Sequence, residues 1–118
     1  MAQAKGKAMT GTRSHEESVL EMLRNDEAFA IDYLSVALEE IDEPGGAAGF
    51  LTAVRRVAEA RGGMGNLALA TGLARPNLYR ALSADGDPRL STVLKVLQAL
   101  GIGLSKVVSH SSEQHHGG

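Results

Sequence analysis

Apolar side chains recur at helical spacing along the first half of the chain. Ser14 can cap a first helix over residues 15–24, and Asp26 can cap a second helix that extends to Ile41. The second segment places apolar residues on one face and polar residues on the other, as an amphipathic helix packed on a core does. Pro44-Gly45-Gly46 ends this unit.

The second half of the chain predicts a third helix followed by shorter ones. The third follows Pro44-Gly45-Gly46, faces Phe50, Leu51 and Val54 inward, and stops at Gly62-Gly63. The shorter helices lie near residues 64–71, 75–83 and 90–100. The core-facing side chains of the last one are expected to be Leu90, Val93, Leu94, Leu97 and Leu100.

A short strand is predicted after these helices, because residues 102–108 alternate loosely between apolar and other side chains. A lone strand has an unpaired edge, and pairing with a second copy of the chain is one way to satisfy it. The fold class is therefore all-α with a possible short C-terminal strand. Residues 14–108 form a single helical domain, between disordered tails at residues 1–13 and 109–118.

Composition agrees with a small helical protein and removes several kinds of chemistry. The 118 residues include two Phe, two Tyr and no Trp, whereas sheets favour aromatic and β-branched residues. With no Cys, disulfides, zinc-thiolate sites and thiol nucleophiles are excluded. No apolar run reaches the roughly 18 residues of a membrane helix, and no signal peptide is recognised, so a cytoplasmic protein without membrane contact is expected. No metal site or cofactor is expected.

Charge is divided unevenly, although the formal net charge is only −2. Residues 14–43 contain ten acidic residues against Arg24, a sum of −9, whereas residues 44–118 sum to +4. This division suggests two surfaces with different partners, although solvated helix faces would also explain it. The acidic candidates for a partner surface are Glu16, Glu17, Glu21, Asp26, Glu27, Glu39 and Glu40.

The segment LALATGLARPNLYRAL, from Leu67 to Leu82, predicts a helix-turn-helix at about residues 64–83. Two short helices that meet at a steep angle need a small residue where they approach, a residue that tolerates positive φ, and apolar side chains that hold the angle. Ala68 supplies the first and Gly72 the second. The apolar supports are Leu67, Leu73, Leu78 and Leu82. An ordinary helical hairpin is the alternative.

The second helix of this unit would present its N-terminal residues to the major groove of DNA. Its exposed polar residues are Arg75, Asn77, Tyr79 and Arg80. Arginine suits guanine, asparagine suits adenine, and tyrosine reaches a phosphate or a thymine methyl group. Which of the four would read bases is left open by the sequence.

The stretch from Glu59 to Ser105, above all ATGLARPNLYRALS and GDPRLSTVLKVLQALG, resembles addiction-module antidote proteins with Xre-type, HigA-like and lambda-repressor-like helix-turn-helix domains. The segment LRNDEAFAIDYLSVALEE resembles the extra N-terminal helices of that family. The resemblance implies a homodimer that binds double-stranded operator DNA and represses its own operon. It also implies a complex with a RelE-superfamily toxin. Ala74 departs from the family, which usually has Ser or Asn as the cap at this position.

Three functions follow from these observations, and none is enzymatic. The chain has no Ser-His-Asp set, phosphate-binding glycine loop or metal-ligand spacing, so catalysis is not expected. An antitoxin, whose acidic residues face a basic toxin, agrees best with the resemblance. A free-standing helix-turn-helix repressor is the alternative, and a helical interaction protein without DNA binding is the third possibility.

Overall fold

The computed structural model describes residues 15–117, with side chains described as far as Ser111. This range contains seven α-helices and no strand, which confirms the all-α prediction. The tail predicted for residues 1–13 and the cap predicted at Ser14 lie outside the described residues. The helices are α1 (15–25), α2 (Glu27–Glu39), α3 (Gly46–Ala60), α4 (Gly63–Thr71), α5 (Arg75–Ala81), α6 (Leu90–Ala99) and α7 (Leu104–Gly117).

Asp26 separates α1 from α2 and caps α2, as its sequence position predicts. Its backbone is extended, and its carboxylate accepts a hydrogen bond of 3.1 Å from the backbone N–H of Phe29. The end of α1 is held by Arg61, whose guanidinium donates to the carbonyl oxygens of Leu23 at 3.0 Å and Arg24 at 3.4 Å. Because the Leu23 side chain is also fully buried, α1 is joined to the core by both apolar and polar contacts.

The remaining helices pack in a closed ring around the core. Helix α2 packs on α3, α3 on α4, α4 on α6, α6 on α7, and α7 returns to α2. Helix α3 contributes most to the core, since eight of its fifteen residues are buried. Helix α5 packs on α4 and buries Leu78, while the residues around Leu78 remain exposed. The ring therefore supports α5 through α4 and leaves the outer residues of α5 exposed.

The turn between α2 and α3 depends on the absence of a side chain at Gly46. A Cβ atom at this position would collide with the carbonyl oxygen of Glu40 and would lie 2.7 Å from the carbonyl oxygen of Ile41. The backbone of Gly46 donates a hydrogen bond to the carbonyl oxygen of Glu43 at 2.8 Å. The start of α3 thus lies directly against the end of α2. This close contact fixes the angle between the two helices.

The predicted C-terminal strand is wrong, because residues 104–108 belong to α7. Gly101 turns the chain at φ 78°, Ile102 enters the core, and the backbone N–H groups of Lys106 and Val107 both bond to the carbonyl of Gly103. Strand alternation would place Val108 with Ile102, but Val107 is fully buried and Val108 is 46% exposed. Residues 109–117, predicted as part of a disordered tail, continue the same helix.

Leu90 also differs from its predicted place in the core. It begins α6 and its side chain is 67% exposed, whereas Val96 and Leu97 are fully buried. The periodic positions Val93, Leu94 and Leu100 are half-buried. The apolar pattern therefore identifies the helix but misplaces its buried face at the first turn.

Candidate nucleic-acid interface

The turn between α4 and α5 is built on Gly72. This residue caps α4 in the left-handed region at φ 77°, and its backbone N–H donates to the carbonyl oxygen of Ala68 at 2.8 Å. Only glycine adopts this conformation without steric cost, which is why the sequence indicated a turn here. Helix α4, the turn and α5 together form a helix-turn-helix arrangement, here called the α4–α5 unit.

Apolar side chains hold the α4–α5 unit on the core. Leu67, Leu78 and Leu82 are 3%, 0% and 1% exposed. Ala68 and Leu73 are half-buried and pack against the same cluster of buried residues. Since these residues come from both helices and the turn, the relative placement of α4 and α5 is fixed by packing.

Thr71 supplies a polar contact in the turn that sequence reasoning missed. Its hydroxyl donates to the carbonyl oxygen of Leu67 at 2.8 Å and accepts a hydrogen bond of 3.3 Å from the backbone N–H of Leu73. The side chain is buried, so it satisfies the Leu73 donor where water has little access. A threonine immediately before a turn glycine was the available signal, because its hydroxyl can serve the backbone on both sides.

The four residues proposed for DNA contact all lie on α5 with exposed side chains. Arg75 and Asn77 lie in its first turn, while Arg80 and Tyr79, which is 43% exposed, follow. Pro76 occupies the N-terminal turn, where its missing N–H costs no helical hydrogen bond. Ala74 makes no side-chain cap, so the donors at the start of α5 remain open at this exposed end.

The two arginines of α5 differ from those of α3. Within the part of the chain with described side chains, neither Arg75 nor Arg80 forms an ion pair. In contrast, Arg55 lies 3.9 Å from Glu59 and Arg56 lies 3.4 Å from Glu16. The described side chains therefore leave the charge of the two α5 arginines uncompensated.

Arg75 extends over the N-terminal half of α4. A Cβ atom built on Gly65 would lie 3.7 Å from the guanidinium carbon of Arg75, which is ordinary van der Waals contact. The guanidinium of Arg75 thus lies beside Gly65 on α4.

The acidic candidates differ in their local partners. Asp26 caps α2, Glu16 pairs with Arg56, and Glu27 pairs with Lys106 of α7 at 3.2 Å. Glu39 accepts a hydrogen bond of 3.0 Å from the Ser111 hydroxyl of α7. All seven predicted residues are exposed, including Glu17 and Glu21 on α1 and Glu40 at the C-cap of α2.

The described residues show neither a metal centre nor a membrane-spanning helix. No group of three or more His, Asp or Glu side chains in this part of the chain is placed to hold a metal ion. No single described helix is both long and apolar enough to cross a membrane; α6 and residues 104–111 of α7 reach that length only as a pair bent by 88°.

Comparison with known proteins places the chain in a family. The profile of a family described as probable addiction module antidote protein matches residues 14–108. A 52-residue stretch is 42% identical to a Haemophilus influenzae protein described as uncharacterized and covers 44% of this chain and 53% of that protein. The chain thus matches about half the length of this curated relative. No solved structure matches. The chain belongs to the family of probable addiction module antidote proteins.

Proposed function

We propose that this protein is a DNA-binding antitoxin that neutralises a RelE-superfamily toxin by direct binding and represses its own operon. The single observation that carries the DNA-binding part is the exposed α5, on which Arg75 and Arg80 form no ion pair with any described side chain. Family membership supports the antitoxin part.

DNA binding through α5 fits the chemistry of its side chains. Arg75 and Arg80 are suited to guanine edges or to phosphates, and Asn77 is suited to an adenine edge. A cation that has no partner in the free protein loses no internal ion pair when it meets a phosphate. The affinity of such an interface should fall steeply with salt, because counterions are released from DNA on binding.

Dimerisation is part of the proposal because two recognition helices read the two halves of a palindromic operator, roughly 34 Å apart. The predicted strand pairing no longer supplies the interface, because residues 104–108 are helical. The support for a dimer is therefore the symmetry of operator recognition, and its interface is left unassigned.

Toxin neutralisation is tested by producing the protein together with the toxin encoded beside its gene. We expect growth to be restored and the two proteins to purify as one complex. A promoter fragment from the same operon should bind the purified antitoxin with an affinity that falls as salt rises. Promoter binding without rescue or complex formation would instead indicate a free-standing repressor.

A further inference from the structure

A groove opens between α2 and the start of α3, away from the residues of the α4–α5 unit. Its volume is about 540 Å³, and none of its lining residues belongs to α4 or α5. The α2 wall carries Phe29, Tyr33 and Val36, and the two aromatic rings lie 6.3 Å apart. The contacts of a partner bound in this groove would therefore not cover the residues of α5.

The groove exposes apolar surface and has room for another chain. Val36 is 45% exposed, and Phe29 and Tyr33 are only half-buried. On the opposite wall, a Cβ atom built on Gly49 would meet nothing within 4 Å. Apolar area with open space above it loses contact with water when a complementary side chain enters, which favours association.

The charge around the groove is negative. Among the described residues, its lining includes Asp32, Glu40 and Glu43 but no lysine or arginine. Asp32 already contacts His110 of α7 at 3.2 Å. No described side chain forms an ion pair with Glu40 or Glu43, while α7 engages Glu27 and Glu39 of α2. Glu40 and Glu43 thus keep open acidic charge at the groove.

An apolar groove with an acidic end fits a segment whose apolar side chain is followed by lysine or arginine. A toxin that acts on RNA needs cations to contact phosphates, so such segments are expected on its surface. Opposite charges across an interface select the partner and speed its association.

We infer that the groove between α2 and α3 is the docking site for a basic, amphipathic segment of the toxin. This inference rests on the proposed antitoxin function and adds the surface that performs it. The apolar wall of α2 supplies buried area, and Glu40 and Glu43 orient the cationic end of the segment.

A side chain introduced at Gly49 would fill the groove without disturbing the core. We expect Gly49→Leu to weaken toxin binding about tenfold or more, whereas Gly49→Ala stays within about twofold of wild type, as calorimetric titration with the purified toxin measures. Both changes replace a glycine inside a helix, so neither should lower the melting temperature. Loss of binding in both variants to the same extent would contradict occupation of the groove.

The acidic end is tested by the double substitution Glu40→Lys and Glu43→Lys, with Asp85→Lys in the loop between α5 and α6 as a control outside the groove. We expect the double variant to bind the toxin about tenfold more weakly and Asp85→Lys to bind like wild type. If the loss of toxin affinity per reversed charge is the same in the control as in the double variant, the attraction is a diffuse electrostatic one. That result would overturn the groove assignment.

Failure of the inference can be told apart from failure of the proposed function. If the wild-type protein does not bind the toxin, the antitoxin function is wrong. If it binds and Gly49→Leu binds equally well, only the groove assignment is wrong. Sedimentation of the antitoxin alone adds one more result: a dimer that Gly49→Leu dissociates without changing toxin binding would assign the groove to a second copy of this chain.

Discussion

Charged side chains are used differently in the α4–α5 unit and in the helices that support it. Among the supporting helices, two cations meet anions of a neighbouring helix: Arg56 with Glu16, and Lys106 with Glu27. On α5, Arg75 and Arg80 have no such partner among the described residues. The first arrangement joins helices to each other, and the second leaves positive charge available to another molecule.

The difference shows why overall charge is a poor guide to partners. A net charge of −2 gives no hint of nucleic-acid binding, yet the two arginines of α5 are both exposed and form no ion pair within the described part of the chain. In the acidic N-terminal region, Glu16 pairs with α3 and Glu27 pairs with α7, while Glu40 and Glu43 at the groove form no ion pair with a described side chain. Position and pairing decide what a charge can do.

The largest effect is expected when the open charge of α5 is removed. Replacing Arg75 and Arg80 together by alanine should weaken promoter binding by about 2–6 kcal/mol, since each base contact contributes about 1–3 kcal/mol. Fluorescence anisotropy with a labelled promoter fragment measures the loss. A shallower dependence on salt is expected if the side chains contact phosphates.

Arg24→Ala is the matched control, because Arg24 is also exposed and lies on α1. Its promoter affinity should equal that of the wild type. Equal weakening by Arg24→Ala would mean that the interface is not confined to α5.

A smaller effect, on stability, is expected at the junction of α2 and α3. Gly46→Ala places a Cβ atom against the backbone of Glu40, and relieving this collision should cost about 1–3 kcal/mol. Urea denaturation followed by circular dichroism measures the change. Gly49→Ala, in open space on the same helix, is the control and should not destabilise the protein. Unchanged stability of Gly46→Ala would show that the junction is looser than described.

The start of α5 should be stabilised by restoring a cap. Ala74 has the extended backbone of a capping residue at φ −69° and ψ 141°, but no oxygen to accept from the next turn. Ala74→Ser should add about 1 kcal/mol, and slower amide hydrogen exchange in α5 would report it. Ala74→Val, which also lacks a suitable acceptor, should not slow exchange; a similar slowing by valine would refute capping as the cause.

The smallest effect is expected at the ion pair between α2 and α7. Lys106 and Glu27 are 56% and 47% exposed, so water and salt screen the interaction. A double-mutant cycle with Lys106→Ala and Glu27→Ala should give a coupling of about 0.2–1 kcal/mol that shrinks at high salt. A coupling that ignores salt would indicate a less solvated contact than the structure describes.

Much of the fold follows from local sequence signals. The Asp26 cap, the glycine turn at Gly72 and the helical periodicity act within a few residues, so the sequence predicts them directly. Local signals mispredict the segment after Gly101, because its conformation depends on residues that are distant in sequence. Burial of Val107 and the contacts of α7 with α2 favour a helix where the local alternation favoured a strand.

In the candidate site, too, some features follow from local sequence and others depend on contacts between distant residues. The residues of α5 were identifiable because the turn glycine and the apolar supports fix their face. The engagement of Glu27 and Glu39 by α7 was not, because it joins residues more than seventy positions apart. The groove between α2 and α3 was equally hidden, since only the packing of the two helices creates it.

The most direct test of two separate functional regions is a growth assay with the Arg75→Ala, Arg80→Ala variant. Cells that express the toxin together with this variant are compared with cells that express it with the wild-type antitoxin from the same inducible promoter. We expect full rescue of growth by a variant that no longer binds the operon's own promoter fragment in vitro. Loss of rescue by a folded, stably produced variant would contradict this division and would place toxin recognition on α5.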